Sequence, residues 1–333
     1  MHVPDQQRLA AHHGHGHGHG HGHDHGHDHQ GQQKSAGGPV IALLTEQRHL
    51  NDAALREARE SLESEGCDVR IVAPERADLF DIPDEAPLWD CILSRGRNLA
   101  ALSILAAATN LGVLTINTPR LIELVRNKIA MQSLLVRHSM PVPRAWFASD
   151  PAVFRDVPHE YFPLIIKPFD GDSSAGLWML FEPDDCELLP RTETERTLFI
   201  AQEYLATDGY DLKLYGIGSH VWAVRKPSPV TFPEAGPALM RPTEGSELIE
   251  MNSMLRDIAL TCGRACGLEL WGVDVAMTPN GPYVIEINDF PTYSSVPGAG
   301  ELIARHVRTL IEIDQITRGA GQSNVHAIVR SSS

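Results

Sequence analysis

The last third of the chain carries the densest set of residues able to do chemistry. Gly272-Val273-Asp274-Val275-Ala276-Met277 runs into a Thr278-Pro279-Asn280-Gly281 turn, and Tyr283-Val284-Ile285-Glu286-Ile287-Asn288 comes back. Strand alternation sets Asp274 on the face opposite Val273 and Val275, and puts Glu286 and Asn288 together, away from Ile285 and Ile287. Pairing about Asn280 brings Asp274 beside Glu286. Abutting carboxylates on a merely solvated face would repel. With an amide oxygen alongside, they suit a hard cation that keeps room for phosphate oxygens, Mg²⁺ or Mn²⁺.

Cationic groups precede this pair in the chain. Leu164-Ile165-Ile166-Lys167-Pro168 reads as a strand ending in a lysine, Asp170-Gly171-Asp172-Ser173-Ser174-Ala175-Gly176 follows, and Leu177 to Phe181 returns as a strand. A Gly/Ser loop of this kind can lay its N–H groups, at Ser173, Ser174 and Gly176, along phosphate oxygens. Lys167 adds a point charge at its base. Asp211 to Ile217 and Val221 to Arg225 form a hairpin about Gly218-Ser219, which sets Lys213 opposite Arg225. Opposed like charges destabilise a sheet. A bound polyanion removes that penalty, and Asp211, two residues from Lys213 on the same face, also offsets it. Thr118-Pro119 opens a helix with a hydroxyl cap and Pro at its first position. Leu121, Leu124, Val125, Lys128, Gln132 and Leu135 then share one face, so Lys128 interrupts an apolar stripe, facing water or a phosphate. Alternatively, Asn127 caps a second helix and changes this geometry.

The elements that must position these groups alternate between strand and helix at the start of the folded chain. Val40–Leu44, Val69–Val72, Cys91–Leu93 and Val113–Ile116 read as strands, Asp52–Glu65 and Leu99–Thr109 as helices, and such alternation predicts a parallel sheet. Sites gather at the carboxyl ends of parallel strands. Ser94-Arg95-Gly96-Arg97 stands at such an end, either as an anion-holding pair or as solvated loop charge. There is no GxxxxGK[ST] loop, and no GxGxxG outside the histidine tract. Phosphates must be held another way.

Composition bounds the rest. The 333 residues are 42% hydrophobic and 21% charged, which are globular proportions. The net charge of −15, from 43 acidic and 28 basic residues, argues against non-specific nucleic-acid binding. No run approaches the ~18 apolar residues of a membrane span, and the N-terminus lacks a signal-peptide core, so no membrane partner and a cytoplasmic location are expected. The five cysteines, Cys67, Cys91, Cys186, Cys262 and Cys266, show no metal-ribbon spacing and suit a reducing compartment. Residues 12–29 alternate His with Gly and Asp. This reads as a disordered arm able to wrap Ni²⁺ or Zn²⁺, or as a repeat-expanded tail or tag with no such role.

The order of these motifs resembles the ATP-grasp superfamily over residues 40–312: Asn127-Lys128, Ile166-Lys167 with its Gly/Ser loop, Gln202-Glu203-Tyr204-Leu205, Asp211 to Tyr215, Arg225, Asp274, and Glu286-Ile287-Asn288. The resemblance implies an α/β fold with an N-terminal parallel-sheet domain and two ATP-clasping lobes. It implies Lys128 and Lys167 on nucleotide phosphates, Gln202 to Leu205 as an interlobe hinge whose backbone reads adenine, Glu203 or Asp211 on the ribose, and Asp274, Glu286 and Asn288 on Mg²⁺. Asn117-Thr118-Pro119 through Pro141-Val142-Pro143 and the Gly171–Gly176 loop resemble RimK-type glutamate ligases. Val224 to Pro229 and Ile287 to Tyr293 resemble inositol-polyphosphate 5/6-kinases. RimK-type enzymes often have Arg where Lys213 stands, and the kinases have Lys.

The expected organisation is a histidine-rich arm and linker (1–38), a parallel-sheet domain (39–118), an N-lobe with helical linker and phosphate loop (119–205), a C-lobe with the metal site (206–315) and a flexible tail (316–333). The expected activity is a carboxylate–amine ligase. It would activate a small-molecule or peptide carboxylate as an acyl phosphate, with Lys213 and Arg225 neutralising developing charge. The alternatives are a small-molecule kinase, with Arg95, Arg97, Lys226 and Arg241 on a polyphosphate acceptor, and a metal-handling protein built on the arm. A homo-oligomer is left open.

Overall fold

The structure is a computed structural model that describes residues 37–76, 81–169, 176–189, 198–228, 230–232, 234–240 and 245–331. The histidine tract, Ser173, Ser174 and Arg241 lie outside the described residues. No described helix is long and apolar enough to cross a membrane.

The first lobe is the expected parallel sheet, ordered β2-β1-β3-β4. Its strands are β1 (Val40–Leu44), β2 (Asp68–Val72), β3 (Cys91–Ser94) and β4 (Leu114–Ile116). Residues 41–44 and all of β3 are buried, as the uninterrupted apolar runs require of strands covered on both faces. The helices α1 (Ala53–Ser64), α2 (Ile82–Glu85) and α3 (Leu99–Asn110) lie between the strands in sequence. Asp52 caps α1 through the N–H groups of Ala54 and Leu55, and Asn98 caps α3 through that of Ala101.

Of the two readings after Thr118, the structure has the second, two helices: α4 (Pro119–Arg126) and α5 (Lys128–Arg137). Asn127 breaks them apart. Its backbone is extended, and its side chain accepts from the N–H groups of Ile129 and Ala130, so it caps α5. The shared face from Leu121 to Leu135 is therefore not one stripe.

The N-lobe sheet is antiparallel, ordered β12-β7-β6-β8-β5. It comprises β5 (Ala145–Ala148), β6 (Leu164–Pro168), β7 (Trp178–Leu180), β8 (Phe199–Glu203) and β12 (Gly236–Pro237). The C-lobe sheet, also antiparallel, is ordered β14-β10-β9-β15-β16. It contains β9 (Tyr210–Ile217), β10 (His220–Pro227), β14 (Glu247–Ile249), β15 (Leu270–Thr278) and β16 (Gly281–Asp289). The short β11 (Val230–Thr231) and β13 (Leu239–Met240) pair with each other. Two helices complete the lobe, α6 (Ser253–Cys266) and α7 (Ala299–Ser331). The stretch from 316, expected as a flexible tail, continues α7.

One core joins the first lobe to the C-lobe. Ile41, Leu43, Leu55 and Leu93 pack in a cluster with Tyr215, Leu270, Phe290, Tyr293, Ile303 and Val307. Phe154, Leu164, Ile166, Leu180 and Ala201 form a separate core inside the N-lobe. Behind the C-lobe sheet, Trp271 is 1% exposed and wedged between β9 and α6. A Cβ at Gly216 would lie 2.1 Å from its ring and one at Gly263 would lie 2.6 Å from it, so both approaches need glycine.

Asn117 pins the same junction. Its Nδ2 donates to Leu270 O at 2.7 Å, and its Oδ1 accepts from Glu269 N at 2.8 Å and Leu270 N at 3.2 Å. The residue is 2% exposed, and replacing it removes the side-chain acceptor of the Glu269 and Leu270 N–H groups and one of two donors to Leu270 O. Asn117→Ala is expected to cost about 2–4 kcal/mol in denaturant unfolding; a loss below about 0.5 kcal/mol would remove its pinning role.

Candidate active site

The expected carboxylate pair forms, but the turn closes on Thr278 and Gly281, a spacing that alone would set Asp274 opposite Ile285; a bulge shifts it to Glu286. Asp274 on β15 pairs directly with Glu286 on β16, and Gly272 with Asn288. A bulge follows, because Val275 pairs with Val284, and the extra residue, Ile285, also reaches the cavity wall. Asn288 Nδ2 donates to Asp274 Oδ2 at 3.1 Å.

Each carboxylate meets a lysine from another element. Lys213, directly opposite Asp274 on β9, brings its Nζ to 3.0 Å from Asp274 Oδ1. Lys128, at the first turn of α5, brings its Nζ to 3.3 Å from Glu286 Oε1. Burial pulls the Lys213 ammonium down, but Asp274 outweighs it and the net shift is upward. Lys167, at the end of β6, is 6% exposed, and burial holds it below the usual lysine range. The N–H of Lys128 donates to Phe169 O at 3.3 Å, which ties the start of α5 to the end of the lysine-bearing strand.

These groups line a cavity of about 680 Å³ between the N-lobe and C-lobe sheets. Its hinge end carries Gln202, Glu203, Tyr204, Leu205 and Asp211. Gln202 is buried and donates to Gln132 Oε1 at 3.2 Å, and Gln132 in turn donates to Pro143 O at 2.7 Å. The N–H groups of Glu203 and Tyr204 donate to Arg144 O and Pro163 O. Tyr204 stands edge-on to Phe232, ring centroids 6.5 Å apart, giving this end an apolar jaw. Burial raises the Asp211 carboxyl above its usual range. Gly176, shortly before β7, has a positive φ of 73°, a conformation suited to glycine.

Arg225 is a correction. The β9–β10 register sets Lys213 opposite Val224, and Arg225 opposite Leu212. The two-residue turn at Gly218-Ser219 closes on Ile217 and His220, one residue short of the expected pairing. A shift of one residue moves a side chain to the other face. Arg225 accordingly pairs with Asp208 at 2.9 Å, stacks over Tyr210 at 3.4 Å from the ring centroid, and is not among the cavity-lining residues. Lys226 is its replacement, paired with Asp211 across the strands and lining the cavity, its ammonium lowered by burial. The correct register was available in the sequence from the two-residue hairpin rule.

The donor set fits a Mg²⁺ ion. It offers two carboxylates and an amide, all hard ligands, with Asp274 Oδ1 facing the Lys213 ammonium at 3.0 Å. Among the described residues no group of three or more His, Cys, Asp or Glu could hold a metal. The set is thus too small for an all-protein cage and suits an ion that completes its shell with phosphate and water.

A parallel-sheet lobe followed by two antiparallel lobes, with lysines from both closing over a carboxylate pair, is the architecture of the ATP-grasp ligases. A family model described as the RimK-like ATP-grasp domain matches residues 125–298, and the chain belongs to that family. A probable alpha-L-glutamate ligase of Shewanella amazonensis is 24% identical over 293 residues, covering 82% of this chain and 95% of that protein. Among solved structures, a RimK domain ATP-grasp protein from Sphaerobacter thermophilus superposes with a TM-score of 0.64 at 19% identity, covering 80% of this chain and 99% of that one. A D-cycloserine synthetase superposes with a TM-score of 0.66 at 17% identity, covering 82% and 99%.

Two outcomes follow from this geometry. Arg225→Gln is expected to change kcat/KM for ATP by less than about twofold and Lys226→Gln to lower it roughly tenfold or more, the scale of one charge-assisted hydrogen bond; the reverse ranking would restore Arg225. Because burial lowers the Lys167 pKa, its charge is lost at lower pH than an ordinary lysine's 10.5, so ATP affinity should fall on the alkaline side below that value. Lys167→Ala should abolish that limb and raise KM for ATP roughly tenfold. An unchanged KM would place the phosphates elsewhere.

Proposed function

We propose that the protein is an ATP-dependent carboxylate–amine ligase acting on a small-molecule or peptide carboxylate. The observation that carries the reading is the carboxylate pair Asp274–Glu286 facing Lys128, Lys167 and Lys213 across one cavity, in a chain of the RimK-like family. A relative named as an alpha-L-glutamate ligase supports an amino acid as one substrate.

The carboxylate oxygen of the acceptor attacks the γ-phosphorus, the bond to the bridging oxygen breaks, and ADP leaves. The amine nitrogen then attacks the acyl carbon, the carbon–oxygen bond to phosphate breaks, and the amine proton passes to solvent. Positioning and charge neutralisation suffice for both steps. Lys128, Lys167 and the loop through Ser173, Ser174 and Gly176 hold the phosphates. Lys213 and Lys226 balance the charge that grows on the transferring group. Gln202, Glu203, Tyr204 and Leu205 frame the adenine, and Asp211 or Glu203 takes the ribose. Asp274, Glu286 and Asn288 would hold Mg²⁺, which draws electron density from the phosphates when bound.

The kinase alternative has less support, because a polyphosphate acceptor needs several open cations. Arg95 is 5% exposed and faces Asp52 and the Phe290 ring. The five thiols are free and buried, with Cys262 and Cys266 pushed up to about 12 by burial, which supports a cytoplasmic location. We assign the arm a separate role in Ni²⁺ or Zn²⁺ capture, the lobes the boundaries given by the sequence, and leave assembly to a homo-oligomer as an open outcome.

The test is ATP turnover across amino acids, short peptides, other carboxylates and inositol phosphates with hydroxylamine present. ADP with a hydroxamate is expected; a stable phosphorylated product without hydroxamate would make it a kinase. Removing residues 1–36 should leave turnover within about twofold while abolishing tight Ni²⁺ binding; loss of turnover would join the arm to the site.

A further inference from the structure

We propose that Gln132, a residue of the helical linker outside the cavity, fixes the amide of Gln202 as a hydrogen-bond acceptor and so selects a purine with a 6-amino group over one with a 6-oxo group. The inference rests on the hinge end being the nucleobase site, as proposed above, and is independent of the acceptor.

Strand register places the Gln202 side chain. On β8 it stands directly opposite Ile165 of β6. Ile165 and Lys167 line the cavity, while Ile166 and Ala201 pack in the N-lobe core. Gln202 therefore lies on the cavity face of the sheet. It is 4% exposed and shares the hinge end with the Tyr204–Phe232 jaw. An apolar slot with a few fixed polar groups on its wall is what orients a flat base.

An amide alone is ambiguous. One end donates, the other accepts, and half a turn exchanges them with little change of shape. A lone glutamine on this wall would accept from a 6-amino group in one orientation and donate to a 6-oxo group in the other. The chain removes that choice. Pro143 O is a carbonyl and only accepts, so the end of Gln132 that lies 2.7 Å from it must be Nε2. The other end is then Oε1, which also only accepts. It lies 3.2 Å from the Gln202 amide, whose facing atom must be Nε2. Gln202 Oε1 is left to the cavity, with no hydrogen-bond partner among the described residues. Turning the relay round would press two carbonyl oxygens together at the Pro143 end and strand their neighbours. An acceptor in this place matches the N–H of a 6-amino group. A 6-oxo group would meet it lone pair to lone pair, a mismatch that a buried polar site rejects strongly.

The spacing of the relay is held by the backbone. Ala145 pairs with Gln202, and the N–H of Glu203 donates to Arg144 O at 3.0 Å, so the segment after Pro143 is tied to the strand that carries Gln202. Gln132 rides on α5, which Asn127 caps. Gln132 is not among the cavity-lining residues and acts through Gln202, as a positioning residue.

The experiment is calorimetric titration of the full chain, with Mg²⁺ present, by the β,γ-imido analogues of ATP and ITP. These share ribose and phosphates and differ at the 6-substituent and the N1 proton. The wild type is expected to bind the ATP analogue roughly tenfold tighter or more. Gln132→Met fills similar space with neither polar end, so Gln202 can turn, and the preference should fall roughly fivefold or more, chiefly through tighter ITP binding. Gln132→Lys can donate to Pro143 O but cannot accept, and should lower the ratio at least as far. The N1 difference is common to all three proteins, so the change in ratio reports the relay. A strut that merely held α5 to the hinge would weaken both analogues alike and leave the ratio unmoved. An unmoved ratio in the folded variants, or a wild type that binds both analogues equally, would overturn the proposal and leave the nucleotide site standing. A wild type that binds neither analogue would overturn the nucleotide reading together with it.

Discussion

Two carboxylates side by side on neighbouring strands repel, and the site is organised around that constraint. Asp274 and Glu286 are register partners, so they cannot separate without breaking the ladder. The chain meets them with Lys213 from the same sheet and Lys128 from the helical linker, at 3.0 and 3.3 Å. These lysines are the groups proposed for the nucleotide phosphates. On the proposed reading, a bound Mg²⁺ would take over the carboxylates and the ATP phosphates would take over the lysines, so each would favour the other's binding. Either alone would leave one set of buried charges uncompensated.

The packing follows from the same division of labour. The first lobe and C-lobe share a core, pinned by Asn117, and hold the carboxylates and Arg97 on one body. The N-lobe has its own core and brings Lys167 and the loop beyond it. Lys128 is covalently in the linker, yet its side chain reaches Glu286 and its N–H holds Phe169 O, so it couples the two bodies. A clasp of this kind can close over a nucleotide without disturbing the carboxylate pair.

Much of this was legible in the sequence because turns and alternation fix register locally. The Pro279-Asn280 turn brought the two carboxylate strands together, with a bulge supplying the last residue of register between Asp274 and Glu286, and the apolar runs of β1 and β3 marked a sheet covered on both faces. The same logic failed at Arg225 by a single residue, enough to send it to the other face and to leave Lys226 read only as a candidate for a polyphosphate acceptor. Asn127 showed why a helical stripe misleads when a capping residue interrupts it. The contact of Arg97 with Asp289 joins the first lobe to the end of the C-lobe sheet and depends on the docking of two lobes, which no local pattern encodes. The reach of α7 past 316 was missed because its late turns carry little apolar periodicity: Ile313 and Ile316 are exposed.

The most direct measurement is calorimetric binding of a non-hydrolysable ATP analogue with and without Mg²⁺, to the wild type and to Asp274→Asn. Exchange of lysine partners requires the wild-type affinity to rise roughly tenfold or more with Mg²⁺, and the rise to vanish in the variant. Equal affinity with and without Mg²⁺, or a variant that keeps the full metal dependence, would contradict it.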